Sequence, residues 1–192
     1  MVSVTNALTA ERQPAVAKTL MIISYFGKGK GKTTAALGVA LRASGYKFKT
    51  EIIQFVKGSK FKSGEELALK SSKLIKIKKF GLGFVGIKGD SRNIKDHQYI
   101  AQKGLEYAKK VILRNDARVI ILDEILGAIY GDLVKKDDVI KLTKKTCKNK
   151  IIILTGRPRI KEIIELSDLA TEMKEIKHPY RKNIPAIKGL DF

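Results

Sequence analysis
The 192-residue chain has one cysteine, two histidines, four prolines and no tryptophan. Cys147 alone excludes an internal disulfide, and with His97 and His178 it is too small a set for a Cys/His zinc centre. No run approaches the ~18 consecutive apolar residues of a bilayer-crossing helix. Glu11, Arg12, Gln13 and Pro14 interrupt the opening residues where a signal peptide carries its apolar centre. Membrane association is not expected, and a reduced, cytoplasmic setting is. Internal repeats and low-complexity tracts are also missing.

What is present belongs to an ordinary globular chain: 44% apolar and 30% charged residues. A chain of this length buries roughly 70% of its unfolded surface, enough for one core without staples. Lys plus Arg number 39 against 19 acids, a net charge of +20. Polyanions, nucleotides among them, are therefore favoured partners. Lysine supplies 31 of the cations, scattered along the chain. That pattern suits a solvated, ion-paired surface better than an arginine-rich nucleic-acid groove with aromatic platforms.

Residues 1–19 lack sustained periodicity and form an expected N-terminal arm; 20–192 form the expected domain. The run Leu20 to Tyr25 is continuously apolar and bounded by glycine, which predicts a strand buried on both faces. A helix is predicted from Lys32 to Ser44 and a strand over Thr50 to Phe55. A short helix over Glu65 to Lys70 and a strand over Leu74 to Phe80 follow. The longest predicted helix runs from Asn93 to Arg114, with Ile94, Ala101, Leu105, Ala108 and Ile112 on its apolar face. Then come a strand at Val119 to Leu122, a helix from Asp137 to Cys147 that puts the thiol on its apolar side, and a strand over Lys150 to Thr155. A helix from Arg159 to Leu166 and a strand over Leu169 to Met173 complete the alternation. Short apolar strands linked by helices imply an α/β fold with a mostly parallel central sheet covered on both faces, three layers in all. Ligands of such sheets bind at the carboxyl ends of the strands.

After the first strand stands Gly27-Lys28-Gly29-Lys30-Gly31-Lys32-Thr33-Thr34, leading into a helix. Glycines let backbone N–H groups face a phosphate, and the helix start adds its positive end. Lys32 reaches the outer phosphates, and the Thr33 hydroxyl is a candidate magnesium ligand. The usual Walker A spacing places its first glycine where Phe26 stands, so this loop is one residue short. A dinucleotide-binding G-x-G-x-x-G reading fails because its third glycine falls on Lys32.

Ile120-Ile121-Leu122-Asp123-Glu124 is an apolar strand delivering two carboxylates at its end, the arrangement in which an acid holds a nucleotide's magnesium. Arg157, after the fifth strand, suits either phosphate oxygens or a carboxylate at a helix start. Gln54, near the end of the second strand, either lines the site or satisfies loop backbone.

These stretches, with Gln54-Phe55-Val56-Lys57-Gly58, Gly64-Glu65, Gly83-Phe84, Thr171-Glu172-Met173, Lys177-His178-Pro179 and Lys188 to Phe192, together resemble the P-loop ATP:corrinoid adenosyltransferases. The shortened glycine loop is that family's own form, and the likeness runs in order from about Leu20 to the C-terminus. The resemblance implies a three-layer P-loop NTPase (RecA-like) fold with a mostly parallel central sheet; it implies that a corrinoid cobalt, reduced to Co(I), attacks the ribose C5′ of ATP, and that triphosphate leaves whole. It implies ATP and a corrinoid as substrates, magnesium as cofactor, an electron-donating reductase as a further partner, and a homodimer whose N-terminal segment helps to close the corrinoid site. Lys32 and Glu124 are then the catalytic candidates. Gly27 to Thr34, Gln54, Phe84 and Arg157 are the binding candidates, and Thr33, Asp123 and Glu124 the metal candidates. Where the family usually carries Phe-x-Trp, this chain has Phe84-Val85-Gly86, and Ala186-Ile187 replaces the more usual Ala-Gln.

The alternative from another class is a RecA-like ATPase acting on nucleic acid, with Glu124 activating water. The chain's small size and want of a stacking surface speak against it, and nucleic acid is not expected as a partner. A small-molecule kinase lacks its arginine-rich lid here, and a mere nucleotide-binding module leaves the C-terminal motifs unused.

Overall fold
A computed structural model describes residues 20–58, 62–83, 92–114, 116–145 and 149–191. The order of elements is β1 (Met21–Phe26), α1 (Lys32–Gly45), β2 (Thr50–Phe55), α2 (Gly64–Leu69), β3 (Ile75–Phe80), α3 (Ile94–Arg114), β4 (Val119–Asp123), α4 (Ile125–Tyr130), α5 (Lys136–Lys144), β5 (Ile151–Gly156), α6 (Lys161–Leu166) and β6 (Leu169–Glu172), with a 3-10 turn at Pro179–Lys182.

The six strands form one sheet in the order β3-β2-β4-β5-β1-β6, and every neighbouring pair is parallel. Isoleucine and valine dominate the central strands because a branched Cβ packs well on a surface covered from both sides. Successive residues go to opposite faces. Ile22, Ile53, Ile120, Leu122, Ile152 and Leu154 meet α3, α4, α5 and α6. Ile23, Ile52, Val119, Ile121 and Ile153 meet α1, with Leu69 of α2 at the margin. The result is three layers, as the alternating pattern predicts.

Some boundaries and faces differ from the sequence expectation. Ile94 is exposed at the start of α3, and His97 takes its place in the buried face. Ile94 is the first helical residue, so an apolar stripe drawn from periodicity alone reaches one turn too far. The short α4 was not predicted: six residues around Gly127 are too few to show a period. β6 is an edge strand with all four residues exposed, unlike the mostly buried β1 beside it. The expected arm 1–19, the Phe84 segment and Cys147 lie outside the described residues.

A fully parallel sheet gathers every strand's carboxyl end at one margin. Because β5 lies between β1 and β4, the glycine loop and the Asp123-Glu124 pair face each other across one strand. That gap is what a side chain from β5 must fill.

Candidate active site
The glycine loop is built by close backbone contact. At Gly27, with φ at +106°, an added Cβ would fall 2.4 Å from the Met173 carbonyl oxygen; at Gly29 it would fall 2.6 Å from that of Lys174. The Gly29 N–H donates to the Met173 carbonyl at 2.7 Å, and the Gly27 N–H to that of Arg157 at 3.1 Å. The chain leaving β6 thus forms the loop's outer wall, which glycine alone permits. Gly31, at φ +114°, turns the backbone into α1.

Lys32 opens α1 and is 7% exposed. Its ammonium donates to the carbonyls of Gly27 at 2.8 Å and Gly29 at 2.6 Å. Burial pulls this ammonium below the ordinary lysine range; the charge of Glu124 opposes the shift, Arg157 adds to it, and Asp123 opposes it. A lysine in this state favours a nearby anion strongly, because an anion relieves both the burial and the cationic neighbour.

Asp123 is fully buried at the end of β4, and a carboxylate is tolerated there only with partners. It has four. Oδ1 accepts from the hydroxyls of Thr33 and Thr155, each at 2.8 Å. Oδ2 accepts from Gln54 Nε2 at 3.1 Å and lies 3.2 Å from Lys57 Nζ. The Thr155 hydroxyl, on β5, also accepts from the Glu124 N–H at 2.9 Å, so this one side chain spans the gap between the two motifs.

Glu124 itself sits in the left-handed region, at φ +60°, as the residue before α4. Burial and then the charge of Asp123 raise its carboxyl above the usual carboxylate range, against the pull of Lys32, Lys57 and Arg157. Its side chain lines a pocket of about 790 Å³ that Lys28 to Thr34, Lys57, Glu65 and Arg157 also line. From the C-terminal segment come Glu175, His178, Gly189, Leu190 and Asp191. Asp191 ion-pairs with Lys30 and accepts from the Ile187 N–H at 2.7 Å, which closes the final turn beside the loop.

The sequence-predicted residues are therefore brought together at one pocket. Lys28 to Thr34, Glu124 and Arg157 line it, while Gly27 forms the base of the loop and Asp123 and Gln54 lie beneath the floor. Phe84 falls outside the described residues. Thr155, Lys57, Glu65 and Asp191 are the residues that site prediction from sequence missed. Their motifs are visible, but only the strand order and the returning C-terminus bring them to the loop.

The donor set fits a divalent cation shared with a phosphate. Thr33 commits its proton to Asp123, so its lone pairs remain for a cation, and Glu124 adds an oxygen at the pocket wall. Among the described residues no group of three His, Cys, Asp or Glu is assembled to hold a metal. An ion held here would need its other ligands from substrate and water, as magnesium takes them at nucleotide sites.

Comparison with known proteins agrees with this geometry. The corrinoid adenosyltransferase of Sinorhizobium sp is 33% identical over 175 residues, covering 90% of this chain and 80% of that protein. The corrinoid adenosyltransferase of Escherichia coli strain K12 is 28% identical over 172 residues, covering 90% and 85%. Among solved structures, a KaiC-like protein from Pyrococcus horikoshii OT3 superposes with a TM-score of 0.51 over 83% of this chain and 75% of that one; at 16% identity this is a likeness of fold. These findings support adenosylation and lend nothing to the nucleic-acid alternative. The profile of the family ATP:corrinoid adenosyltransferase BtuR/CobO/CobP matches residues 18–192. The chain belongs to that family, and it is a transferase that takes ATP and a corrinoid as its substrates.

Proposed function
We propose that the pocket holds ATP by its triphosphate so that C5′ of the ribose, rather than phosphorus, faces the Co(I) of a reduced corrinoid. The cobalt electron pair forms the Co–C bond as the C5′–O bond breaks, and the triphosphate departs with the bonding electrons. The observation that carries this reading is the cluster of cations at the short glycine loop: Lys28, Lys30, Lys32 and Arg157 line one pocket together with Glu124. That distribution suits a leaving group whose charge spreads over all three phosphates.

In this reading the Lys32 ammonium turns from the Gly27 and Gly29 carbonyls to phosphate oxygens, and the positive end of α1 faces the same oxygens. Magnesium, when bound, supplies positive charge to the departing triphosphate. Thr33 and Glu124 offer it oxygen, with Asp123 holding Thr33 in place, and Gln54 keeps Asp123 oriented from below. Glu124 has no proton to remove, because the nucleophile is a metal; its role is charge and ligation. The Phe84 segment is the proposed contact for the flat corrinoid face. A homodimer closed by the 1–19 arm, an electron-donating reductase partner and a cytoplasmic setting complete the proposal, with adenosylcobalamin formation or salvage as the use.

The test is anaerobic incubation with magnesium, ATP and a chemically reduced corrinoid. A light-sensitive alkyl-cobalt spectrum should develop. ADP formation without corrinoid, accelerated by nucleic acid, would overturn the proposal in favour of a motor.

A further inference from the structure
Of the four donors on Asp123 among the described residues, three are neutral and built into regular elements: Thr33 on α1, Gln54 on β2 and Thr155 on β5. Lys57 is the fourth, and it alone is charged and follows a strand end on a connecting segment. Its side chain keeps 32% of its surface exposed, against none for the carboxylate it pairs with. Its ammonium also lies 4.0 Å from Glu65 Oε1 at the start of α2. Both residues line the pocket.

The backbone beneath Lys57 is firmly held. The Lys57 N–H donates to the Phe55 carbonyl at 2.7 Å, and the Val56 carbonyl accepts from the Gly83 N–H at 2.8 Å. Val56 is forced to φ +68°, a conformation that a branched side chain strongly resists. Gly81 approaches so closely that a Cβ there would fall 2.2 Å from the Val56 carbonyl carbon. Such a turn holds the backbone at Lys57 while leaving the four carbons of its stem free to swing.

The helix start that carries Glu65 is held by the residue next to it. Burial pulls the neighbouring Glu66 carboxyl up, but hydrogen bonds from Lys79 and from Ser63 outweigh it and hold the group below the usual range. The same Ser63–Glu66 exchange caps α2. A second acceptor therefore waits near Lys57 when it leaves Asp123.

We propose that Lys57 is a displaceable positioning cation. It balances Asp123 in the nucleotide-free protein, yields Oδ2 to the field of the divalent cation that arrives with ATP, and turns its ammonium to the triphosphate. An ammonium and a doubly charged ion beside one carboxylate oxygen repel each other, and the exposed, flexible partner is the one that moves. The proposal rests on the magnesium-ATP reading of the pocket.

Manganese is the probe, measured by the electron-paramagnetic signal of free Mn²⁺. In Lys57→Met, nucleotide-free Mn²⁺ affinity should rise about tenfold, the scale on which neighbouring groups tune a metal site. Binding of inorganic triphosphate at saturating Mn²⁺ should fall about fivefold or more, as one charge-assisted contact is lost. Lys57→Arg should stay close to the parent in both. Unchanged or weaker Mn²⁺ affinity in a folded Lys57→Met chain overturns the Lys57 role alone. A parent chain that takes up no Mn²⁺ even with ATP overturns the pocket reading as well. Should Lys57→Met not fold, the parent chain carrying ¹³C-dimethylated lysines decides. The signal absent from Lys57→Arg must shift when magnesium and ATP are added together, and a stationary signal contradicts the displacement.

Discussion
Replacing Thr155 by valine changes almost no volume and removes one hydroxyl from a fully buried place. That hydroxyl donates to Asp123 Oδ1 at 2.8 Å and accepts from the Glu124 N–H at 2.9 Å. A hydrogen bond to a charged group contributes about 1.5–3 kcal/mol, and a stranded buried donor costs about 1–3 kcal/mol. Asp123 keeps Thr33, Gln54 and Lys57, so the lower end of each range applies. The expected loss is about 2.5 kcal/mol, or about 5–10 °C in melting temperature for a chain of this size. Thr155→Ser keeps both bonds and should remain within about 1 kcal/mol of the parent. Thermal and urea melts of Thr155→Val, Asp123→Asn and the double variant form a cycle in which the two single losses should not add. A Thr155→Val loss below about 0.5 kcal/mol, the size of an ordinary surface change, would refute the claim that β5 ties the carboxylate pair together. So would strict additivity.

Further outcomes follow from the same geometry. Lys32→Ala should reduce adenosyl transfer by about 10²–10³-fold or more, the usual result of removing a donor to developing negative charge; single-turnover kinetics at saturating ATP measure it. Gly29→Ala drives a methyl to 2.6 Å from the Lys174 carbonyl oxygen, which should cost about 1–3 kcal/mol and weaken ATP binding seen by calorimetry. Glu124→Gln should weaken the magnesium dependence of ATP binding in a metal titration, and an unchanged titration moves the metal away from Glu124. The same variant carries a pH signature in metal-free buffer. Because burial and Asp123 raise the Glu124 carboxyl in the folded state, the folded chain holds that proton more tightly than the unfolded one. Stability from this group is then complete below the ordinary carboxylate range and falls as pH rises through the folded value. Glu124→Gln should accordingly gain on the parent in melts as pH climbs from about 4 toward neutrality. A gap that stays constant contradicts the burial argument.

The parts of the fold legible in the sequence are those set by local rules. Continuous runs such as Ile151-Ile152-Ile153-Leu154 announce strands covered on both faces, and the glycines before Lys32 announce the phosphate loop, because both depend on residues close in the chain. The carboxylates at the end of β4 are legible for the same reason. α4 escaped because six residues with a central glycine carry no helical period. Lys57 and Asp191 sit in visible motifs, yet their work depends on partners 66 and 161 residues away. Nothing in a motif encodes such a distance; the parallel order of the strands and the return of the C-terminus do. Thr155 shows this most plainly. A threonine ending an apolar strand is unremarkable until β5 is known to lie between β1 and β4, where its hydroxyl becomes the bridge.

The central claim is that carbon, not phosphorus, is attacked in a pocket built to hold a whole triphosphate. ATP carrying ¹⁸O at the bridging 5′ oxygen tests it directly in a reaction with reduced corrinoid. Cleavage at C5′ sends the label into inorganic triphosphate, leaves none on the adenosyl group, and yields one cobalt-carbon bond per triphosphate in the ³¹P and optical spectra. Label retained on the nucleoside, with ADP and orthophosphate as the phosphorus products, would contradict the account.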